Sequence, residues 1–228
     1  TQSAQTQTAH APQFIPQHFI EVALKNNVLK FGEFTLKSGR ISPYFFNAGL
    51  LSTGELLSVL ANGYADALAK QLQSTESSDL VIFGAAYKGI PFVAATAQAL
   101  WNNHQINADW GYNRKEAKDH GEGGVLVGAA VEGKKVWIID DVITAGTAIR
   151  EVVTILKNAG ASIAGVLVAL DRQEKGQGEL SAIQEVQKEL EIPVHALITM
   201  KDLMDYLDTK GDKDALAKME DYRVKYGI

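Results

Sequence analysis

Short apolar runs and helically spaced apolar sets alternate along most of this chain. The runs are too short for amphipathic helices, so they predict strands buried on both faces. Sets with apolar residues three and four apart predict helices between the strands. This alternation is typical of an α/β fold with a mainly parallel central sheet flanked by helices. The predicted strands lie at 80–84, 110–113, 135–139, 163–170 and 194–198, and the predicted helices at 14–26, 52–72, 91–101, 147–158, 181–190, 201–208 and 214–226.

The region before residue 51 follows a different pattern. Two aromatic-rich segments at 31–36 and 44–46 predict short strands on either side of a polar turn, which displays Lys37 and Arg40. The first seventeen residues contain no Lys or Arg and no apolar core, so they do not resemble a signal peptide. We expect residues 1–13 to be a flexible N-terminal extension and residues 14–228 to form a single domain.

Composition narrows the possible classes of function. The 228 residues are 46% hydrophobic and 21% charged, as in an ordinary globular protein, and no stretch approaches the ~20 apolar residues of a membrane span. The absence of cysteine excludes disulfides and thiolate metal sites. A formal net charge of −5 argues against a nucleic-acid binder, which usually carries a basic face. We therefore expect a cytoplasmic protein without membrane or nucleic-acid partners.

The central candidate site is the stretch that follows the apolar run 135–139. Asp140 and Asp141 come directly after this run, and the small-residue turn 144–148 leads from them into a helix. Ligands of open α/β sheets bind beyond the carboxyl ends of the strands, and turn amides at a helix N-terminus favour a phosphate. The two carboxylates could accept hydrogen bonds from sugar hydroxyls, hold a metal ion, or only cap the helix and face solvent. A sugar phosphate is the simplest ligand for both features.

A second candidate is the polar segment between residues 114 and 124. It carries Arg114, Lys115, Lys118 and His120 and contains three glycines, which favours a mobile lid that closes over an anion. Acidic residues in the same segment balance its charge, so a solvated loop is the open alternative. Lys37, Lys88 and Arg172 are weak candidates taken singly, although Lys88 and Arg172 follow predicted strands. The chain contains neither a P-loop nor a dinucleotide fingerprint.

Several segments together resemble one enzyme family. The stretch 136–148 is similar to the ribosyl-pyrophosphate motif of the type I phosphoribosyltransferases. The segments that extend the likeness to the orotate phosphoribosyltransferases of bacteria and fungi are Phe-Thr-Leu-Lys-Ser-Gly-Arg at 34–40, Tyr-Phe-Phe-Asn at 44–47, Tyr-Lys-Gly-Ile at 87–90, 113–123 and Leu-Asp-Arg at 170–172. The likeness runs from about residue 14 to the C-terminus.

The resemblance implies a type I phosphoribosyltransferase fold with a small N-terminal hood. Hood elements are expected from about 14–50 and from the C-terminal part, and the core from about 51–200. The implied reaction joins orotate to phosphoribosyl pyrophosphate (PRPP) and gives orotidine 5′-monophosphate and pyrophosphate, with Mg²⁺ as cofactor, in pyrimidine biosynthesis. The implied working unit is a homodimer in which the loop Arg114–Gly123 reaches the neighbouring active site.

The resemblance also implies roles for individual residues. Lys118, Asp140 and Asp141 are the expected catalytic residues, and Mg²⁺ is expected to be carried mainly by the pyrophosphate, with no firmly assigned protein ligand. The expected PRPP-binding residues are Lys88, Arg114, Lys115, Lys118, His120, Asp140, Asp141, Val142, Ile143, Thr144, Ala145, Gly146, Thr147 and Ala148. The expected orotate-binding residues are Lys37, Phe45, Phe46, Thr144 and Arg172.

Two alternatives to this function stay open at the level of sequence. A phosphoribosyltransferase for a purine or uracil would share the stretch 140–148, but it would not need Lys37, Arg172 and paired aromatic residues around an acidic base. A regulatory protein that senses PRPP would be expected to add a nucleic-acid-binding domain and a basic surface, and the chain has neither.

Overall fold

The computed structural model describes residues 13–72, 79–118 and 124–228 of the protein. Within these ranges the chain forms a six-stranded sheet and a separate two-stranded hairpin. The strands are β1 (Leu29–Thr35), β2 (Ile41–Phe46), β3 (Leu80–Gly84), β4 (Asp109–Lys118), β5 (Gly124–Gly128), β6 (Lys135–Ile139), β7 (Ser162–Asp171) and β8 (Val194–Thr199). The α-helices are α1 (Pro16–Lys25), α2 (Gly54–Leu72), α3 (Gly89–His104), α4 (Thr147–Asn158), α5 (Ala182–Leu190), α6 (Met200–Lys210) and α7 (Lys213–Tyr226).

The large sheet has the strand order β5-β4-β3-β6-β7-β8. All neighbours are parallel except β4 and β5, which pair antiparallel at one edge. The predicted mainly parallel α/β fold is therefore confirmed. Strand β6 lies near the centre of the sheet, so the two carboxylates that follow it stand at the middle of the carboxyl edge.

Successive residues of the central strands contribute to two separate cores. On β6, Trp137 and Ile139 belong to the core covered by α1, α2, α3, α6 and α7, whereas Val136 and Ile138 belong to the core covered by α4 and α5. Because strand side chains alternate between the two faces, helices on both sides explain why the strands read as unbroken apolar runs. In the described part of the chain, no helix is both long and apolar enough to cross a membrane.

The hairpin β1–β2 lies outside the large sheet, as the hood prediction anticipated. It surrounds the turn of residues 37–40, and Arg40 fastens it by donating from Nη1 to the Lys175 carbonyl (2.6 Å) and from Nη2 to the Gly176 carbonyl (3.0 Å). The Arg40 guanidinium also lies 4.5 Å from the centre of the Tyr226 ring. Arg40 thus joins the hairpin to two segments from the C-terminal part of the chain. The division into hood and core along the chain remains an interpretation, and the predicted extension 1–13 lies outside the described residues except for Gln13.

Two expectations about the elements were wrong in detail. Residues Arg114–Lys118 are not loop but continue β4, which pairs with the unpredicted strand β5 on both sides of a register shift, at Asn113–Leu126 and at Lys118–Gly124. Helix α3 begins at Gly89, so Pro91 is its third residue, where the first turn needs no N–H from it. At the start of α2, the Thr53 hydroxyl accepts the Leu56 N–H at 3.3 Å.

A buried carboxylate joins the start of α1 to the helices beneath it. Asp66 of α2 is 7% exposed, accepts the Phe14 N–H at 2.6 Å, and lies 2.7 Å from Nε2 of His104 at the end of α3. A buried carboxylate needs such partners, because desolvation without them is costly. Asp66 therefore fixes where the chain enters the fold.

We predict that Asp66→Ala lowers the free energy of unfolding by about 1–3 kcal/mol, because it leaves the Phe14 N–H and His104 without their buried acceptor. Urea unfolding of the purified variant measures this loss. Asp205→Ala is the control, since Asp205 only forms an exposed ion pair with Lys201 on α6 and should change stability little. Equal stabilities for the two variants would contradict the assignment.

Candidate functional site

Asp140 and Asp141 extend the line of β6 beyond its last residue. The Asp140 N–H donates to the Leu167 carbonyl (3.0 Å), and the Asp141 carbonyl accepts from the Ala169 N–H (2.7 Å). Strand β7 therefore holds the backbone of both acids in register. The buried hydroxyl of Tyr64, on α2, donates to the Asp140 carbonyl at 2.7 Å.

The two carboxylates have different environments. Asp140 is only 9% exposed, whereas Asp141 is half-buried. Burial and the neighbouring Asp141 charge raise the pKa of Asp140 to about 7, against the opposing effects of the Asp141 backbone N–H and of Lys88. The Asp141 N–H donates to Asp140 Oδ1 at 2.9 Å. The carboxyl group of Asp140 therefore loses its proton near neutral pH rather than in acid.

Lys88 is brought to the carboxylates by an unusually close approach of backbones. A Cβ atom on Gly84 would collide with the Gly89 carbonyl, and one on Gly89 would lie 2.7 Å from the Ile139 carbonyl oxygen. Only glycine allows the end of β3, the start of α3 and the end of β6 to meet. As a result Lys88 Nζ lies 3.2 Å from Asp141 Oδ2.

The turn between β3 and α3 is also held from its other side. Asn113 of β4 is buried, and its Oδ1 accepts the Ala86 N–H at 2.9 Å. The Ala86–Tyr87 peptide within this turn is cis. Asn113 thus orients the segment that carries Lys88, a role that its place beside the basic segment did not reveal.

The predicted phosphate loop leads from Asp141 into α4. Ile143 and Gly146 are buried, and they anchor the loop while Thr144, Ala145 and Thr147 stay exposed. Gly146 has φ of 77° at the N-cap position of α4, a backbone conformation that favours glycine. The exposed residues and the N-terminus of α4 therefore form a surface on which amides can receive a phosphate.

The basic side chains of β4 lie beside this loop. Lys115 Nζ lies 3.4 Å from Glu151 Oε2 of α4, and Lys118 is exposed at the end of the strand. Nη1 of Arg114 is buried without a hydrogen-bond partner among the described residues. His120 lies outside the described residues. A cavity of about 490 Å³ lies between the β4–β5 pair of strands and α4. Its lining residues include Arg114, Lys115, Thr147, Arg150 and Glu151.

Arg172, at the carboxyl end of β7, is held from three sides. Its Nη2 donates to the Ser42 hydroxyl (3.0 Å), its Nε donates to Glu174 Oε1 (3.0 Å), and its guanidinium lies 4.2 Å from the centre of the Tyr44 ring. The hood strand β2 therefore packs directly on the cation. The Tyr44 hydroxyl is buried and has no hydrogen-bond partner in the described ranges. Ser42 and Glu174 were not anticipated from sequence.

The other residues expected at the orotate end are placed differently from one another. Lys37 is exposed in the hairpin turn. Phe45 is 39% exposed and stacks on Phe34 with 5.6 Å between ring centres, whereas Phe46 packs toward the core, 6.5 Å from Phe19. Alternation along β2 sends the two neighbouring rings to opposite sides. Phe45 is therefore the ring available to a ligand.

The carboxylate pair is also the feature that could meet a metal ion. Among the residues described, no group of three or more His, Asp or Glu side chains is arranged to hold one. Mg²⁺, however, commonly keeps several waters and uses one or two carboxylates together with substrate phosphates. Asp140 and Asp141 fit that mode of binding.

Comparison with known proteins places this geometry in a family. Residues 55–196 match the model of the phosphoribosyl transferase domain. The orotate phosphoribosyltransferase of Acinetobacter baumannii (strain ACICU) is 80% identical over 215 residues, which are 94% of this chain and 97% of that protein. That of Saccharophagus degradans is 54% identical over 95% of this chain and 99% of its own length. The crystal structure of the Francisella tularensis enzyme of the same name has a TM-score of 0.81 and 46% identity, covering 92% of this chain and all of that one.

We predict that stability falls as the pH rises from 4 to 8, because the folded protein keeps a proton on Asp140 that the unfolded chain has already lost. Its pKa is raised from 3.8 to about 7, so this contribution amounts to at most about 4 kcal/mol. Asp140→Asn should lack this part of the pH dependence. Urea unfolding at several pH values compares the two, with Asp205→Asn as the exposed control. A difference between wild type and Asp140→Asn that does not vary with pH would rule the shift out.

Proposed function

The chain belongs to the orotate phosphoribosyltransferase family, and we propose that the carboxylate pair Asp140–Asp141 lies between the binding sites of the two reacting groups. Pyrophosphate binds on the basic side of the pair, and orotate binds at the hood end. The protein transfers the 5-phosphoribosyl group from PRPP to orotate and yields orotidine 5′-monophosphate and pyrophosphate. The observation that carries the arrangement is the position of Asp140 and Asp141, which stand between Lys88 and the phosphate loop. Orotate as the acceptor accounts for the nearly buried cation Arg172 better than a purine or uracil does.

The ribosyl group is bound along the stretch from Asp140 to Ala148. The amides of Thr144 to Ala148 receive the 5′-phosphate at the start of α4, and Val142 and Ile143 support the loop from below. Asp140 and Asp141 accept hydrogen bonds from the ribose hydroxyls. Their negative charge also stabilises the positive charge that develops on the sugar when the bond to C1′ breaks, because preorganised groups act most strongly on developing charge.

Pyrophosphate leaves toward the basic side of the site. Lys88 lies at the carboxylates, and Arg114, Lys115, Lys118 and His120 supply further positive groups for the leaving group. When bound, Mg²⁺ would neutralise charge on the pyrophosphate, and Asp140 and Asp141 are the carboxylates of this chain that would hold it. Lys115 is paired with Glu151 on its own chain. We propose that Lys115 leaves this ion pair and binds the pyrophosphate instead.

Orotate binds at the hood end. Arg172 pairs with the carboxylate of the base, Phe45 offers a ring face, and Lys37 and Thr144 complete the polar contacts. Phe46, expected there from the resemblance, acts through the packing of β2. Because orotate already carries negative charge, its ring nitrogen attacks C1′ without a strong base.

The working unit is proposed to be a cytoplasmic homodimer in which the segment Arg114–Gly123 of one subunit reaches the site of the other. The support is that Lys118, the last described residue of β4, is exposed where this strand pairs with the start of β5.

We predict that Lys118→Ala lowers kcat with orotate and Mg²⁺ by about a hundredfold or more, because it removes a donor at a developing charge. A steady-state assay that follows loss of orotate absorbance measures the change. Lys157→Ala removes an exposed lysine from the far end of α4 and serves as control. Near-normal turnover of Lys118→Ala would refute its role.

Parallel assays of the wild-type protein with orotate, uracil and hypoxanthine test which base it accepts, and failure to use orotate would overturn the proposed function.

We predict that Arg172→Ala raises KM for orotate by about 10- to 100-fold and leaves KM for PRPP nearly unchanged, because it removes a charged hydrogen-bond donor from the base alone. Arg223→Ala, at an exposed position of α7, is the matched control. Thermal unfolding separates this effect from instability, since Arg172 also packs on Tyr44. An equal rise of both KM values would contradict a role specific to orotate.

A further inference from the structure

We infer that Arg150 is a positioning residue that sets the conformation of the phosphate loop. It lies in the first turn of α4, four residues after Gly146, and it touches neither Asp140 nor Asp141 through any of its hydrogen bonds. The inference rests on the proposed function, because it takes the loop 144–148 as the site of the 5′-phosphate. Arg150 lies outside the stretch 136–148, on which the resemblance to the family motif rests.

The first observation is a hydrogen bond from the side chain back to the loop. Arg150 Nη1 donates to the Ala145 carbonyl at 2.6 Å. The C=O and N–H groups of a trans peptide point in opposite directions, so a fixed Ala145 carbonyl also fixes the Gly146 N–H. That N–H is held facing away from the guanidinium, which leaves it available to a phosphate on the other side of the loop.

The second observation is that the guanidinium is itself fixed by another helix. Glu189 of α5 accepts from Arg150 Nε at 2.9 Å and lies 2.7 Å from Nη2. A Cβ atom added to Gly146 would lie 2.8 Å from Val186 Cγ2 and 2.9 Å from Arg150 Nη1. The loop therefore rests on a layer made by Arg150 and α5, with no space between them.

An ordinary surface ion pair does not explain this arrangement. The side chains of Arg150 and Glu189 are 32% and 53% exposed, and pairs of that kind contribute little to stability. The additional bond to a loop carbonyl is what distinguishes Arg150. Only a planar guanidinium can bridge a carboxylate and a carbonyl in this geometry, because a lysine ammonium lacks the rigid fork.

The consequence should appear in the binding of PRPP rather than of orotate. Without Arg150 the peptide between Ala145 and Gly146 can rotate, and the loop must be ordered by the phosphate itself. We expect Arg150→Ala to raise KM for PRPP about tenfold while KM for orotate changes less than twofold, as for the loss of one charged hydrogen bond. Arg150→Lys should recover little of this loss.

The experiment measures both KM values for wild type, Arg150→Ala, Arg150→Lys and Glu189→Gln, with and without added guanidinium ion at a non-denaturing concentration. Guanidinium should restore PRPP binding to Arg150→Ala, because it can occupy the vacated space between Glu189 and the Ala145 carbonyl, and it should not improve wild type. Lys201→Ala breaks a comparable ion pair far from the loop and is the control. Thermal unfolding of each variant is recorded alongside.

An unchanged KM for PRPP in Arg150→Ala, or a loss that guanidinium does not reverse, would overturn the inference. Should Arg150→Ala fail to fold, Arg150→Lys and Glu189→Gln decide it by the same selective rise in KM for PRPP. The proposed function fails separately, if wild type itself does not convert orotate. Wild-type turnover with an unaffected Arg150→Ala would leave the proposed function standing and remove only the role of Arg150.

Discussion

The site depends on one close contact between backbones. Gly84, Gly89 and the Ile139 carbonyl meet where β3 and β6 end, and no residue with a side chain fits at either glycine. This contact brings the first turn of α3 beside the carboxylates, so that Lys88 reaches Asp141. Because the two strands are neighbours in a parallel sheet, their carboxyl ends are already adjacent, and the glycines remove the last few ångströms between them.

The electrostatics of the site follow from that contact. A buried carboxylate beside a second one is unfavourable when both are charged, and Asp140 accordingly has a raised pKa. Lys88 offsets part of this cost in the free protein. In the proposed function, ribose hydroxyls and a bound cation offset more of this cost when PRPP binds. The free protein therefore carries an electrostatic repulsion between two carboxylates that a bound ligand can reduce. Groups with shifted pKa values of this kind are typical of functional sites.

Side chains without a proposed role in the reaction hold each part of the site in place. Tyr64 holds the Asp140 carbonyl, Asn113 holds the turn before Lys88, and Arg150 connects the loop 144–148 to α5. At the hood end, Ser42 and Glu174 hold Arg172 in the same manner. Each of these groups donates to or accepts from a functional segment at a fixed distance. Such partners reduce the reordering that a ligand must otherwise bring about.

The sequence by itself determined the alternation of strands and helices, the parallel sheet, and the carboxylates with their phosphate loop, because these depend on local periodicity and on residues adjacent in the chain. It missed β5 and misjudged Arg114–Lys118, since the charged end of β4 has no apolar strand pattern and its pairing with β5 is a tertiary contact that no local pattern records. Only the tertiary structure separated Phe45 from Phe46, placed Ser42 against Arg172 across 130 residues, and set Arg150 between Ala145 and Glu189. These contacts join distant segments, and their geometry exists only once the two cores have brought the segments together.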